Sequence, residues 1–322
     1  MRALKSWLTA FSVACVCTLA MGQSWPAKPI RLVVPFPAGG GTDIIARDVS
    51  NKLSTAAKWN FIVDNKPGSG GNLGVDAAAK SPADGYTLVI GQTSNLAINP
   101  SLYSKLPYDS IQDLTPIGLI GRAPLVMVVP ANSPYKTLTD LVNAAKTPSA
   151  ELNYATSGNG TVAHLAVEMF QREAGIKLTH IPYKGASQGI TDVIGGLVHV
   201  YVSSVPTLIG YIKSGKLRAL AVTSLKRTDD LPQVPTVAES GYKNFEAVTW
   251  FGLLGPARLP STVVQTANQT LNKALSSPDL KTKLEDQGLD VAPGTPEQFA
   301  QLIRTDMAKW GQVVKASGAK AD

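Results

Sequence analysis

Two glycine-bearing stretches hold the residues whose types and spacing best suit chemistry. The first is Pro35-Phe36-Pro37-Ala38-Gly39-Gly40-Gly41-Thr42-Asp43, between an apolar run and a helical pattern. Consecutive glycines let the backbone turn tightly and bring amide N–H groups close to a ligand. The helix that follows aims unpaired N–H groups and a positive dipole end at the same space. Thr42 or Asp43 is its candidate cap. This is an anion site in outline, with a bare strand-to-helix turn as the alternative. It is neither a dinucleotide fingerprint nor a P-loop, because G-x-G-x-x-G and Gly-Lys-Ser/Thr are both absent.

The second stretch, Asn153-Tyr154-Ala155-Thr156-Ser157-Gly158-Asn159-Gly160-Thr161, repeats that logic. Ser157, Thr161 and the amides from Gly158 to Thr161 could donate to an oxyanion. The alternative is a plain helix start capped by Thr161. Two further polar loops, Thr93-Ser94-Asn95 and Val202-Ser203-Ser204, end strand-like runs. Open α/β sheets bind ligands at that end of a strand, and ordinary turns are the alternative.

Catalytic readings fare worse. A Ser157–His164 hydrolase lacks the G-x-S-x-G elbow, since Ala155 stands where the first glycine belongs. His180 and His199 fall in separate strand patterns. Both cysteines, Cys15 and Cys17, lie near the N-terminus, so the chain beyond them has no thiol for catalysis, disulfides or metal binding. We therefore expect no enzyme activity, metal or cofactor.

Composition agrees. The chain has 322 residues, 44% hydrophobic and 16% charged, enough for a large core and too apolar for disorder. Residues 1–22 read as an export signal: Arg2 and Lys5, an apolar run from Trp7 to Met21, and small residues before a cleavage point at Gly22/Gln23. That run is shorter than the roughly 20 residues a membrane-spanning helix needs. A periplasmic protein is the expectation. The formal charge is +7. Lys and Arg are dispersed, which argues against nucleic-acid binding and suits an anionic small ligand.

The positioning elements follow from apolar periodicity. Short strands are expected at 30–35, 61–63, 86–90, 125–129, 152–155, 179–182, 199–202 and 217–222. Helices are expected at 42–56, 137–146, 161–174, 263–275 and 297–316. Strands alternating with helices predict parallel sheets covered on both faces. No linker separates two independent domains, so two α/β lobes joined by several crossing segments fit the length.

The ordered motifs resemble the Bug family, the extracytoplasmic solute receptors associated with tripartite tricarboxylate transporters. The resemblance runs from about Trp25 to the C-terminus. It rests on Trp25-Pro26-Ala27-Lys28-Pro29-Ile30, Val34-Pro35-Phe36-Pro37-Ala38-Gly39-Gly40-Gly41-Thr42-Asp43, Asn65-Lys66-Pro67-Gly68-Ser69-Gly70-Gly71-Asn72, Asp84-Gly85-Tyr86-Thr87-Leu88, Leu106-Pro107-Tyr108-Asp109, Pro182-Tyr183-Lys184-Gly185 and Trp250-Phe251-Gly252-Leu253.

The resemblance implies a two-lobe periplasmic-binding-protein fold of type II, α/β with mixed or parallel sheets flanked by helices. Lobe 1 would comprise 23–122 plus 225–322, and lobe 2 would comprise 123–224. One carboxylate of a di-, tri- or aromatic carboxylate would sit between Phe36–Asp43 and Thr156–Thr161. Thr93, Ser94, Asn95, Ser203 and Ser204 would read the remainder. The family often has acidic or Asp-Asn-like residues where His199, Ser203 and Ser204 stand, and small residues where Asn95 stands. Those departures disfavour an amino-acid ligand. A monomer delivering its ligand to membrane permease subunits is implied, with a sensor signalling to a membrane kinase as the alternative.

Overall fold

The computed structural model describes residues 25–147 and 149–321. The expected export signal, with Cys15 and Cys17, lies outside the described residues.

The chain opens with β1 (Ile30–Val34), α1 (Gly41–Ala57), β2 (Phe61–Asn65), α2 (Asn72–Ala79) and β3 (Thr87–Gln92). A π-type turn over Ser94–Ile98 leads into the short α3 (Asn99–Leu102) and then β4 (Leu114–Pro130). There follow α4 (Leu138–Ala145), β5 (Asn153–Thr156), α5 (Val162–Ala174), β6 (Thr179–Pro182) and α6 (Ala186–Ile194). Next come β7 (Val200–Ser204), α7 (Val205–Lys213) and β8 (Leu217–Val222). The chain finishes with β9 (Val248–Pro256), α8 (Ser261–Leu275), α9 (Pro278–Glu285), β10 (Asp290–Val291) and α10 (Pro296–Ser317).

The strands form one curled sheet in the order β2-β1-β3-β9-β4-β7-β5-β6, with β8 and β10 also pairing to β4. The sheet is mixed rather than parallel. Neighbours β1·β2, β1·β3, β5·β6 and β5·β7 are parallel. All pairings of β4 and β9 are antiparallel.

Strand β4 explains both the curl and a missed expectation. Only Leu125–Val129 reads as a strand in the sequence, because Pro116, Gly118, Gly121 and Pro124 resemble breakers. In the structure β4 has 17 residues, with register shifts at Pro116/Gly118 and Leu119/Gly121. Bulges host such residues and bend the strand. Its first part, through Pro124, pairs with β9, and its last part, from Leu125, pairs with β7 and β8. One strand thus belongs to both halves of the sheet.

Alternating side chains divide the core. Ile30, Leu32 and Val34 of β1, Leu88 and Ile90 of β3, and Phe251 and Leu253 of β9 face one cluster that includes Ile45, Val49 and Leu53 of α1 and Leu271 of α8. Val33, Val89, Trp250 and Leu254 face the other side, where Phe299, Ile303 and Trp310 of α10 pack. The Trp250 indole meets Phe299 edge-on at 5.4 Å and donates to Asp306 at 2.7 Å.

Thr223 ties the crossing segments together. It is fully buried. Its hydroxyl accepts from the Leu125 N–H at 2.8 Å and donates to the Ala247 carbonyl at 2.5 Å. Its own N–H donates to the Leu125 carbonyl at 3.0 Å. Removing the hydroxyl strips buried backbone groups of that partner. Thr223→Val should therefore lower stability by about 1–3 kcal/mol, read as a reduced urea midpoint with an unchanged m-value.

Candidate functional site

Four helix N-termini converge where the two halves of the sheet meet. Gly40, Gly41 and Thr42 open α1, Thr161, Val162 and Ala163 open α5, Gly185 and Ala186 open α6, and Ser204 and Thr207 open α7. They line one narrow cleft with a free interior of about 50 Å³. Phe36, Pro37, Gln92, Ser94, Leu125, Ser157, Ser203 and Thr249 complete the wall. No residue of that lining carries a charge. Outside it lies a vestibule of about 480 Å³, bordered by Gly68–Gly71, Gly158, Tyr183 and Lys184.

Each first turn is built differently. Gly40 occupies the N-cap position of α1 in extended conformation, with no side-chain cap. This corrects the expectation that Thr42 or Asp43 caps the helix, because Gly41 is already its first helical residue and the cap falls two residues before Thr42. Asp43 instead points back, accepting from the Gly39 N–H at 2.9 Å, from Arg47 at 2.9 Å and from Asn65 at 2.9 Å. Burial pushes the Asp43 carboxyl upward, but the hydrogen bonds from Arg47, Gly39 and Asn65 outweigh it and hold it below the usual aspartate range. Thr161 does cap α5, accepting from the His164 N–H at 3.2 Å. Neither α6 nor α7 has a side-chain cap.

The opposing walls touch. The Gly41 N–H donates to the Thr207 hydroxyl at 3.0 Å, and the Val162 N–H donates to the Ser94 hydroxyl at 3.2 Å. Two helix-start N–H groups thus meet oxygen acceptors presented from across the cleft. Glycine at position 41 permits this approach: a Cβ there would lie 2.7 Å from the Thr207 hydroxyl and 2.9 Å from that of Ser204, so those side chains would have to shift.

Of the residues singled out in the sequence, Phe36, Gly40, Gly41, Thr42, Ser94, Ser157, Thr161, Ser203 and Ser204 line the cleft. The others lie outside the lining and hold it in place. Ala38, Gly39 and Asp43 shape the turn before α1. Thr93 accepts the Trp250 N–H at 2.9 Å, and Asn95 accepts the Gln92 N–H at 3.0 Å. The Thr156 hydroxyl pairs with His180 at 2.8 Å, Gly158 borders the vestibule, and the Gly160 N–H donates to His164 at 3.4 Å. The sequence reading did not pick out Gln92, Leu125, Gly185, Ala186, Thr207 or Thr249. Gln92 and Thr249 had a signal, since each continues an inward-facing alternation (Leu88, Ile90, then Gln92; Leu253, Phe251, then Thr249) with a polar residue.

His164 supports the loop. Its ring stacks on His180 at 4.3 Å, and His180 stacks on Tyr154 at 4.7 Å. Its Nδ1 receives the Gly160 N–H, the arrangement of a packed loop support rather than a general base. Among the described residues no group of three or more His, Cys, Asp or Glu gathers as a metal site, and no helix is long and apolar enough to cross a membrane.

The fold and the cleft between its halves define a solute-binding protein of the periplasmic type. Residues 45–319 match the family described as tripartite tricarboxylate transporter family receptor. The chain is 37% identical to BugT of Bordetella pertussis over 92% of each chain. The solved structure of periplasmic binding protein BugD superposes with a TM-score of 0.88 at 31% identity, covering 92% of this chain and 99% of that one. A structure described as R. palustris Rpa4515 with adipate gives 0.89 at 34% identity, covering 91% and 98%. This chain belongs to the tripartite tricarboxylate transporter receptor family.

The stacked histidines set a pH dependence. Burial, reinforced by the neighbouring His164, lowers His180 to about 3, and burial lowers His164 as well. The unfolded chain binds these protons near 6.5 and the folded chain does not. Stability should therefore fall as pH drops from about 7 toward 4. Denaturation at stepped pH should show this slope, and it should be shallower in His180→Phe.

Proposed function

We propose that the protein is a periplasmic receptor that captures a small di-, tri- or aromatic carboxylate between its two lobes and delivers it to a tripartite tricarboxylate-type permease. The observation that carries this reading is the convergence of four helix N-termini on a cleft lined by no charged side chain. Each helix end acts as roughly half a positive charge and stabilises an anion there by about 0.3–2 kcal/mol. Charge-assisted hydrogen bonds from main-chain N–H groups add about 1.5–3 kcal/mol each before association costs. A handful suffices for a micromolar complex, about −8 kcal/mol.

The donors come from both halves: Gly41 and Thr42 on one, Val162, Ala163 and Ala186 on the other. Only a closed arrangement brings both sets onto one carboxylate, so the ligand favours closure through its extra contacts in that state. Lys184 at the vestibule adds a cation that draws anions inward. The relative solved with adipate supports the ligand class. The family supports the permease partner and the periplasmic setting. No step of chemistry is part of this reading.

Purified protein should gain several degrees in melting temperature with millimolar members of a carboxylate panel. Gly41→Ala should weaken that binding at least tenfold by calorimetry while circular dichroism stays native, because the methyl group would crowd Thr207 and Ser204. A flat response across the whole panel would sink the receptor reading. Uptake of the bound carboxylate by cells should be lost on deleting either the receptor or its permease.

A further inference from the structure

The loop that leads into α5 carries the only Asn–Gly pair in the chain, Asn159-Gly160. An asparagine followed by glycine is chemically labile, because no Cβ on the next residue hinders its main-chain nitrogen from reaching the side-chain carboxamide. Three observations expose this pair. Asn159 is part-exposed and borders the vestibule, which opens to solvent. Among the described residues nothing hydrogen-bonds its carboxamide, which is therefore free to turn. The Gly160 N–H belongs to no helix or sheet ladder; its acceptor is His164 Nδ1 at 3.4 Å, longer than the usual value of about 2.9–3.0 Å.

Packing explains why so labile a pair stands here. Gly160 has a φ of +75°, in the region that favours glycine. A Cβ on it would lie 2.6 Å from Asn99 Oδ1 and 2.7 Å from Leu102 Cδ2 of α3. The turn that seats the loop against α3 thus favours glycine at 160 and leaves the preceding asparagine open to attack. Asn132-Ser133 is the contrast. Asn132 is exposed, but a residue with a side chain follows it, and the Ser133 N–H is held by the Pro130 carbonyl at 2.9 Å.

We infer that Asn159 is a site of spontaneous deamidation, and that its conversion ends carboxylate capture. The Gly160 nitrogen attacks the Asn159 carboxamide carbon. The new N–C bond forms, the bond from that carbon to the amino group breaks, and the Gly160 amide proton leaves with the amino group as ammonia. One water then opens the cyclic imide at either carbonyl, giving aspartate or isoaspartate. The consequence for binding rests on the receptor reading above. Ser157 and Thr161, two residues to either side of Asn159, line the cleft. A carboxylate placed between them repels an incoming anion and competes for the positive end of α5. The isoaspartate form also adds one main-chain carbon just before the Thr161 cap.

The test ages purified protein for several days in mildly alkaline buffer and maps it by mass spectrometry. Asn159 should convert before any other asparagine, Asn132 included, and faster as pH rises. The converted form, separated by ion exchange, should bind the tightest member of the carboxylate panel at least tenfold more weakly than fresh protein by calorimetry, with native circular dichroism. Asn159→Asp should bind as weakly. Asn159→Gln should keep its own starting affinity through the same ageing, because the longer side chain closes its larger ring far more slowly. Asn159 staying intact through the ageing, or converting after other asparagines, would overturn the site. Converted protein that binds as tightly as fresh protein, or that loses binding by unfolding, would overturn the consequence. Failure of every acid to bind fresh protein would overturn the receptor reading and that consequence with it, while the mapping still decides the site.

Discussion

The arrangement depends on peptide dipoles aimed at one point from several directions. A charged side chain in a narrow cleft would cost desolvation whenever the cleft closed without its counter-ion. Main-chain N–H groups at helix starts avoid most of that cost, because they are fixed by the helices that carry them and need no separate ordering. Four such starts give a field that favours an anion, in a wall made of glycine, alanine, serine, threonine, one glutamine and apolar side chains. The one buried carboxylate near α1, Asp43, is answered by Arg47, Asn65 and the Gly39 amide. Its charge is therefore neutralised locally, and it anchors the turn.

That field requires the helices to start at the same place, and the sheet arranges this. Each of α1, α5, α6 and α7 follows a strand whose C-terminal end lies at the junction of the two halves. The long bulged β4 links the halves, and Thr223 joins β4, the end of β8 and the approach to β9 through its main-chain and hydroxyl bonds. Few segments cross between the halves of the sheet, and Thr223 bonds them to one another. The Gly41–Thr207 and Val162–Ser94 bonds join the facing walls of the cleft. A ligand oxygen would compete with those hydroxyls for the same N–H donors, which favours anions over neutral solutes.

The supporting layer behind the cleft is aromatic and neutral. The Tyr154–His180–His164 stack backs the loop from Thr156 to Thr161. Burial keeps the imidazoles uncharged, so the stack holds the glycine loop without adding charge to the cleft. His164, whose spacing from Ser157 lacks the G-x-S-x-G elbow, stacks and bonds the loop as a packing group.

Much of this was legible in the amino-acid order. The glycine run at 39–41, the Thr161 cap and the core faces of α1 and α5 follow from local rules of turn, cap and period, which need no knowledge of distant residues. The antiparallel course of β4 and β9 was not legible, because proline and glycine at bulges look like strand breakers until a partner strand is present. Nor was the convergence of four helix starts, since Gly41 meets Thr207 across 166 residues and Val162 meets Ser94 across 68. Thr249 is the clearest case. Its sequence shows a polar residue on an inward strand face, but only the packing of β3 beside β9 decides that the residue lines the cleft.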